Sequence, residues 1–494
     1  MRANSSSSAP TQLFLPLPGI AVTPPVAPRI PRNDRVFVNR NLAMANIDWI
    51  GFDMDYTLAI YNQRAMDTLS IELSVERLLK RGYPSYLQDV HYDTRFPIRG
   101  LLIDKRLGHV LKMNRYKAVF TGYHGLKKLP RETLDELYLN KKIRPSTPRY
   151  HWIDTLFALC EVTLYSVAVD AMEKRGEQVD YAKLFGDIRE SIDEAHRDGS
   201  VYRAVTADLA KYVERDEDLA RALHKFRSSG KKLFLLTNSP WHYTNRMMTY
   251  LLGEAMQEYP SWRHYFDVIV VSAQKPNWFK EGRPLMERDG EVLKDLNGPL
   301  ERGKIYEGGN LREFERLTRT VGSKILYVGD HIYGDILRSK KESAWHTAMI
   351  IQELDQEVAA LEMCLGEMAR QRELNESRDR LEDELRFYQA RFKELSKQPT
   401  EEGDADRLRV KRALEQVRGE LRSIERELTS LAETVNLTFH PYWGSLLKED
   451  NEMSSFGLQV DTYADLYSRR VSCFREYSPH QHFRSPHDLM PHEL

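Results

Sequence analysis

Four short, apolar runs that each end in polar residues constrain this chain more than any other feature. The first, from residue 47 to 52, leads into Asp53-Met-Asp55-Tyr-Thr57. The second, KLFLLTN, ends at Thr237 and Asn238; the third, DVIVVSAQK, ends at Lys275. The fourth, KILYVGDHIYGD, delivers Asp330 and, five residues on, Asp335. Runs this apolar suit parallel strands covered on both faces of a sheet. Ligands of open α/β sheets bind at the carboxyl edge of such strands. Residues alternate faces along a strand, so Asp53 and Asp55 can lean toward one point. One can attack phosphorus while the other handles the proton.

In this chain order the four polar ends resemble the motifs of the haloacid-dehalogenase-like phosphohydrolase superfamily. DMDYT matches the first motif, Thr237 the second, Lys275 the third and GDHIYGD the fourth. The resemblance implies an α/β fold: a Rossmannoid parallel-sheet core, an inserted α/β cap and Mg2+ as cofactor. It implies Asp53 as nucleophile and Asp55 as acid and base, with Thr237, Asn238 and Lys275 holding the phosphoryl group. Asp53, Asp330 and the backbone carbonyl of Asp55 would ligate the metal, with Asp335 behind them. Charge balance points the same way. A carboxylate 4 Å from a phosphate charge is repelled by about 4 kcal/mol at an effective dielectric of about 20, which a lysine and a hard, oxygen-seeking cation would cancel.

The chain has 494 residues, enough for several domains. Lys and Arg total 72 against 73 Asp and Glu, which gives no electrostatic case for nucleic acid or a membrane surface. Cys160, Cys364 and Cys473 lie far apart, as expected of free thiols in a reducing cytoplasm. No stretch has the length and apolarity of a membrane span. Asn436-Leu-Thr is a formal glycosylation acceptor that a cytoplasmic chain would not use. The histidines of the last 53 residues fit no zinc spacing.

The expected organisation has five parts. Residues 1–34, rich in Ser and Pro, are expected to form a flexible or extended arm. Residues 35–63 and 231–351 form the catalytic core. Residues 64–230 are too long for a loop and form the cap, with helices over 70–81, 151–174, 181–196 and 204–230 and short strands within 100–111. Residues 352–435 carry two heptad seams, Leu374 to Leu395 and Leu414 to Val435. The seams are broken by KQPTEEGDAD and predict an antiparallel helical hairpin, either two helices packed on the domain or a coiled-coil arm that supports a homo-oligomer. Residues 436–494 dock on the core.

A closer resemblance is to the cytosolic purine 5′-nucleotidase family. It is carried by GFDMDYTLAIY, SVERLLKRGYP, FPIRGLLID, TLFALCE, LLTNS, YFDVIVVSAQKPNWF, YVGDHIYGDILRSKK, TYADLYSRR and LMPHE. It implies a purine nucleoside monophosphate substrate, IMP or GMP, with nucleoside phosphotransfer as a second activity. In DIRESIDEAHRDGS, Arg189, Asp193 and His196 fall on positions that contact base and ribose in that family. Arg189 and Asp193, four apart on a helix, also suit a surface ion pair. Arg144, Asp154, Tyr333 and Lys341 fall near the positions of its nucleotide effector site. The chain departs from the pattern at Ala158, in place of an asparagine, and at Tyr202, in place of a lysine. Both changes bear on base preference. The alternatives are a phosphatase of another monoester, a nucleotide-binding regulator without turnover, and a scaffold built on the hairpin.

Overall fold

The computed structural model describes residues 30–486, except 140, 142, 254, 281, 297, 338, 341–342 and 398–400, and omits the side chains of 333, 337 and 401–403. Residues 1–29 and the LMPHE stretch lie outside the described residues. Ten strands form the main sheet, in the order Phe37–Val38, Leu466–Ser468, His346–Ile350, Ile325–Gly329, Trp49–Phe52, Lys232–Leu236, Val268–Val271, Ile305–Gly308, Leu285–Asp289 and Val292–Asp295. Strands from Leu466–Ser468 through Ile305–Gly308 run parallel. The two edges are antiparallel. Trp49–Phe52 is central, and Asp53 follows it directly.

Both faces of the central strands Ile325–Gly329, Trp49–Phe52, Lys232–Leu236 and Val268–Val271 are covered, which is why these runs are apolar. One face buries Trp49, Phe234, Tyr327 and Trp345 together. Gly51 makes that packing possible, because a Cβ there would lie 2.1 Å from the Phe234 ring. The other face buries Ile50, Phe52, Leu233, Leu235, Leu326 and Val328 in the larger core.

The inserted region has its own five-stranded antiparallel sheet, ordered Lys127–Lys128, Val119–His124, His109–Met113, Leu101–Asp104 and Tyr150–Trp152. Helices Gln63–Lys80, Leu159–Glu173 and Tyr181–Arg197 complete it. The first begins seven residues before the expected start, because the Asn62 side chain accepts the Ala65 N–H and caps it there. His151 lies in a strand paired with Leu102–Asp104, so the next helix starts only at Leu159. The helix expected over 204–230 is broken. Ser200–Ala207 ends where Asp208 accepts the Lys211 N–H. Val213–Glu214 then pairs with Ile60–Tyr61, and Leu219–Ser228 closes the region.

Helices Leu365–Leu395 and Glu401–Phe439 form an antiparallel pair, with Arg370 near the start of one bound to Glu427 near the end of the other at 2.8 Å. Helix resumes at Glu401, so the break is shorter than the sequence suggested. The seam positions are half-buried or buried; the remaining faces are mostly exposed. At the amino end, Asp34 binds Arg469 at 2.6 Å, so the described end of the expected arm is tied to the core. No described helix is long and apolar enough to cross a membrane. All three cysteines are buried and unpaired.

Candidate active site

Four strand ends meet at one point. Lys275 Nζ lies 2.9 Å from Asp53 Oδ1 and 2.6 Å from Asp335 Oδ1. Tyr327 supplies a further partner, its hydroxyl 2.9 Å from Nζ. Carboxylate oxygens of Asp53, Asp330 and Asp335 all lie within 4.8 Å of one another, and all three residues are buried. The fourth motif needs its glycine: a Cβ on Gly329 would lie 2.7 Å from the Asp335 side chain. Asn238 fixes the lysine's backbone reciprocally. Its amide oxygen accepts the Lys275 N–H at 2.6 Å and its amide nitrogen donates to the Lys275 carbonyl at 2.9 Å. Ser272 and Gln274, both in the left-handed region, turn the chain back toward that amide. Thr237 is fully buried, its hydroxyl oxygen accepting the Ser239 N–H at 3.1 Å.

The two acids of the first motif part company. Asp53 Oδ1 accepts the Met54 N–H at 2.7 Å and faces Lys275. Asp55 takes two hydroxyls instead, Tyr61 at 2.6 Å and Ser239 at 2.7 Å. Tyr61 in turn shares a 2.8 Å hydrogen bond with Tyr243. Two adjoining cavities follow this division. One, about 210 Å3, is lined by Asp53, Asp55, Lys275, Asp330 and Asp335. The other, about 260 Å3, touches Asp55 but not Asp53, and is walled by Phe157, His196, Tyr202 and Tyr243.

Burial pushes the Asp53 carboxyl well above the usual carboxylate range; Lys275 opposes this, while Asp335, Asp55 and Asp330 add to it. Asp330 is pushed up to about 7 by burial and then by Asp335. Burial also raises Asp55, against the pull of the Ser239 and Tyr61 hydroxyls. The neighbouring cations, Lys275 beside Asp53 and Arg99, His331 and Lys275 near Asp330, offset this only in part. Asp330 Oδ2 is buried with no hydrogen-bond partner among the described residues. Crowded hard oxygen donors with one left unsatisfied fit a small divalent cation such as Mg2+. The clustered side chains are Asp53, Asp330 and Asp335. The Asp55 side chain stands apart from them, and Asp335 both joins the cluster and binds the lysine.

The expected substrate residues separate. His196 lines the second cavity, edge-on to Phe157 at 5.9 Å. Arg189 instead faces Glu161 on the neighbouring helix at 3.5 Å, and Asp193 is exposed. Of the expected effector positions, Arg144 is exposed and Asp154 lies 3.6 Å from His331. Lys341 and the Tyr333 side chain lie outside the described residues. Tyr61, Phe157, Ser239, Tyr243 and Tyr327 join the site without a role assigned from the sequence. All but Tyr243 lie inside segments that carry the family resemblance, GFDMDYTLAIY, TLFALCE, LLTNS and YVGDHIYGDILRSKK.

The parallel strands and the acids clustered at their carboxyl edge have the arrangement that the sequence motifs imply. The model of the 5′ nucleotidase family matches residues 36–494. The chain is 29% identical over 458 residues to 5′-nucleotidase domain-containing protein 2 of Rattus norvegicus, covering 90% of this chain and 77% of the rat protein. Similar solved structures include a predicted phosphoglycolate phosphatase from Haemophilus somnus (14% identity, TM-score 0.25). Another is the HAD-hydrolase YfnB of Bacillus subtilis, bound to magnesium (15% identity, TM-score 0.23). Each pair covers 62% of this chain and 86% of the other. The chain belongs to the 5′-nucleotidase family, and so to the phosphoric monoester hydrolases.

Proposed function

We propose that the protein hydrolyses purine nucleoside 5′-monophosphates, with IMP and GMP preferred, in a Mg2+-dependent reaction through an aspartyl-phosphate on Asp53. The observation that carries this reading is the division of labour between the acids: Asp53 faces the charged cavity alone, while Asp55 borders both cavities.

The phosphate enters the charged cavity, where the Lys275 ammonium offsets its charge and Asn238 holds the lysine in place. Asp53, Asp330 and Asp335 would hold the cation, which supplies charge neutralisation at the phosphoryl oxygens when bound. Asp53 Oδ attacks phosphorus and the bond to the ribose oxygen breaks. Asp55, on the leaving-group side, protonates that oxygen. It then takes a proton from the water that cleaves the acyl phosphate, releasing inorganic phosphate and restoring both acids. Thr237 braces the loop that presents Asn238. The flat base occupies the second cavity between Phe157, His196 and Tyr202, where aromatic contact replaces the amide absent at Ala158. Interception of the acyl phosphate by a nucleoside hydroxyl gives the phosphotransferase activity.

Three buried free thiols and the absence of a described membrane-spanning helix support a cytoplasmic protein. Phe387, 65% exposed on the hairpin, supports self-association through that arm. Phosphate release from IMP, GMP, AMP, UMP and glucose 6-phosphate, with Mg2+ and with EDTA, tests the catalytic reading. IMP and GMP should lead, and EDTA should abolish release. Equal rates on all five overturn the purine assignment; no release from any overturns the hydrolytic one.

A further inference from the structure

Asp330 differs from the other two clustered acids in how it is aimed. Asp53 is oriented by Met54 N–H and Lys275, and Asp335 by Lys275. Asp330 Oδ2 has no partner among the described residues, so the carboxylate's direction depends on its backbone. That backbone is held from outside the core. Arg99 Nη1 donates to the Asp330 carbonyl at 2.9 Å. Its Nε and Nη2 fork onto the two carboxylate oxygens of Glu353 at 2.7 and 2.6 Å. The guanidinium carbon lies 4.9 Å from the centre of the Phe456 ring.

The three partners come from different regions. Arg99 precedes the Leu101–Asp104 strand of the inserted region, Glu353 follows the last motif-bearing part of the core, and Phe456 lies in the carboxyl-terminal helix Ser455–Tyr463. Arg99 is 1% exposed. A buried cation of this kind is tolerated only when its donors are paired. Arginine's rigid fork meets a carboxylate and leaves a third donor aimed elsewhere, which a lysine cannot reproduce.

We propose that Arg99 is a positioning residue for the acid Asp330, and that it ties cation affinity to contact between the inserted region, the core and the carboxyl-terminal segment. The inference rests on the cation-site reading above. Losing Arg99 frees the Asp330 carbonyl and lets the unoriented carboxylate drift. Supporting partners of metal ligands typically contribute 10–100-fold to affinity.

The test uses the full chain and its Arg99→Lys and Glu353→Gln variants. Mn2+ binding is read by the electron paramagnetic resonance signal of free Mn2+, beside the melting temperature without metal and kcat at saturating Mg2+. Arg99→Lys should weaken Mn2+ binding by about tenfold or more, with kcat at saturating Mg2+ within about threefold. Glu353→Gln should fall between it and the parent, because the carbonyl bond survives while the fork loosens; it also serves if Arg99→Lys does not fold. Lower melting temperatures with unchanged Mn2+ affinity in both variants would make Arg99 merely structural and overturn the inference alone. A parent chain that binds no Mn2+ overturns the cation-site reading and this inference with it.

Discussion

The two halves of the site are built by opposite means. The phosphate half is assembled from strand ends: Asp53, Asn238, Lys275, Asp330 and Asp335 each sit directly after or close to a buried parallel strand, and backbone register brings them together. The leaving-group half is assembled from rings carried on unrelated elements: Tyr61 on a two-residue strand, Phe157 before a helix, His196 at the end of another, Tyr243 on a core helix. Charge needs fixed geometry, and a sheet provides it. A flat apolar ligand needs area, which many arrangements of side chains supply.

If the halves are separable, their variants should behave differently. Asp53→Asn should remove turnover on every ester, by about 10^4-fold or more, because the nucleophile itself is gone. Asp55→Asn should cost about 10^2–10^4-fold on a nucleotide, whose alkoxide needs a proton, and far less on p-nitrophenyl phosphate, whose leaving group does not. Equal losses on both substrates would erase the distinction between the acids. Gly329→Ala should lower kcat and stability together, by about 1–3 kcal/mol in stability, since the new methyl displaces Asp335. Calorimetry and phosphate release on one preparation check this.

Tyr202→Ala, at a ring that lines the second cavity and not the charged one, acts on the other half. It should raise KM for a nucleotide about tenfold while leaving KM for p-nitrophenyl phosphate within about twofold, from loss of one aromatic contact. The smallest effect lies outside both halves. Burial pushes Asp67 up from 3.8 to about 8, although Gln63 donates to it. The folded chain keeps this proton when the unfolded chain has lost it. The group's contribution is therefore full below about pH 4 and lost as pH rises through about 8. Asp67→Asn should raise the melting temperature by about 2 °C at pH 8, with the gain vanishing toward pH 4.

Legibility in the sequence followed the same division. The acids, the lysine and Asn238 could be found because each ends an apolar run, and a run buried on both faces leaves a sharp pattern. The hairpin was visible through its seams. The helix expected over 204–230 was not one helix, because Asp208 caps a new turn and Val213 pairs with Tyr61, a partner 152 positions away. Arg189 and Asp193 looked like a pair at helical spacing, yet Glu161, on a different helix, takes the arginine. Tyr327 looked like an ordinary strand residue, and its hydroxyl meets the lysine across two intervening strands of the sheet.

Sequence by itself determined the parallel sheet, the order of its motifs and the chemical types gathered at its carboxyl edge, since these follow from local periodicity and strand length. The tertiary structure alone decided which acid faces the lysine, which faces the rings, and how a buried arginine from the inserted region reaches the Asp330 carbonyl. Such contacts join residues far apart in the chain, and no local pattern records a direction in space.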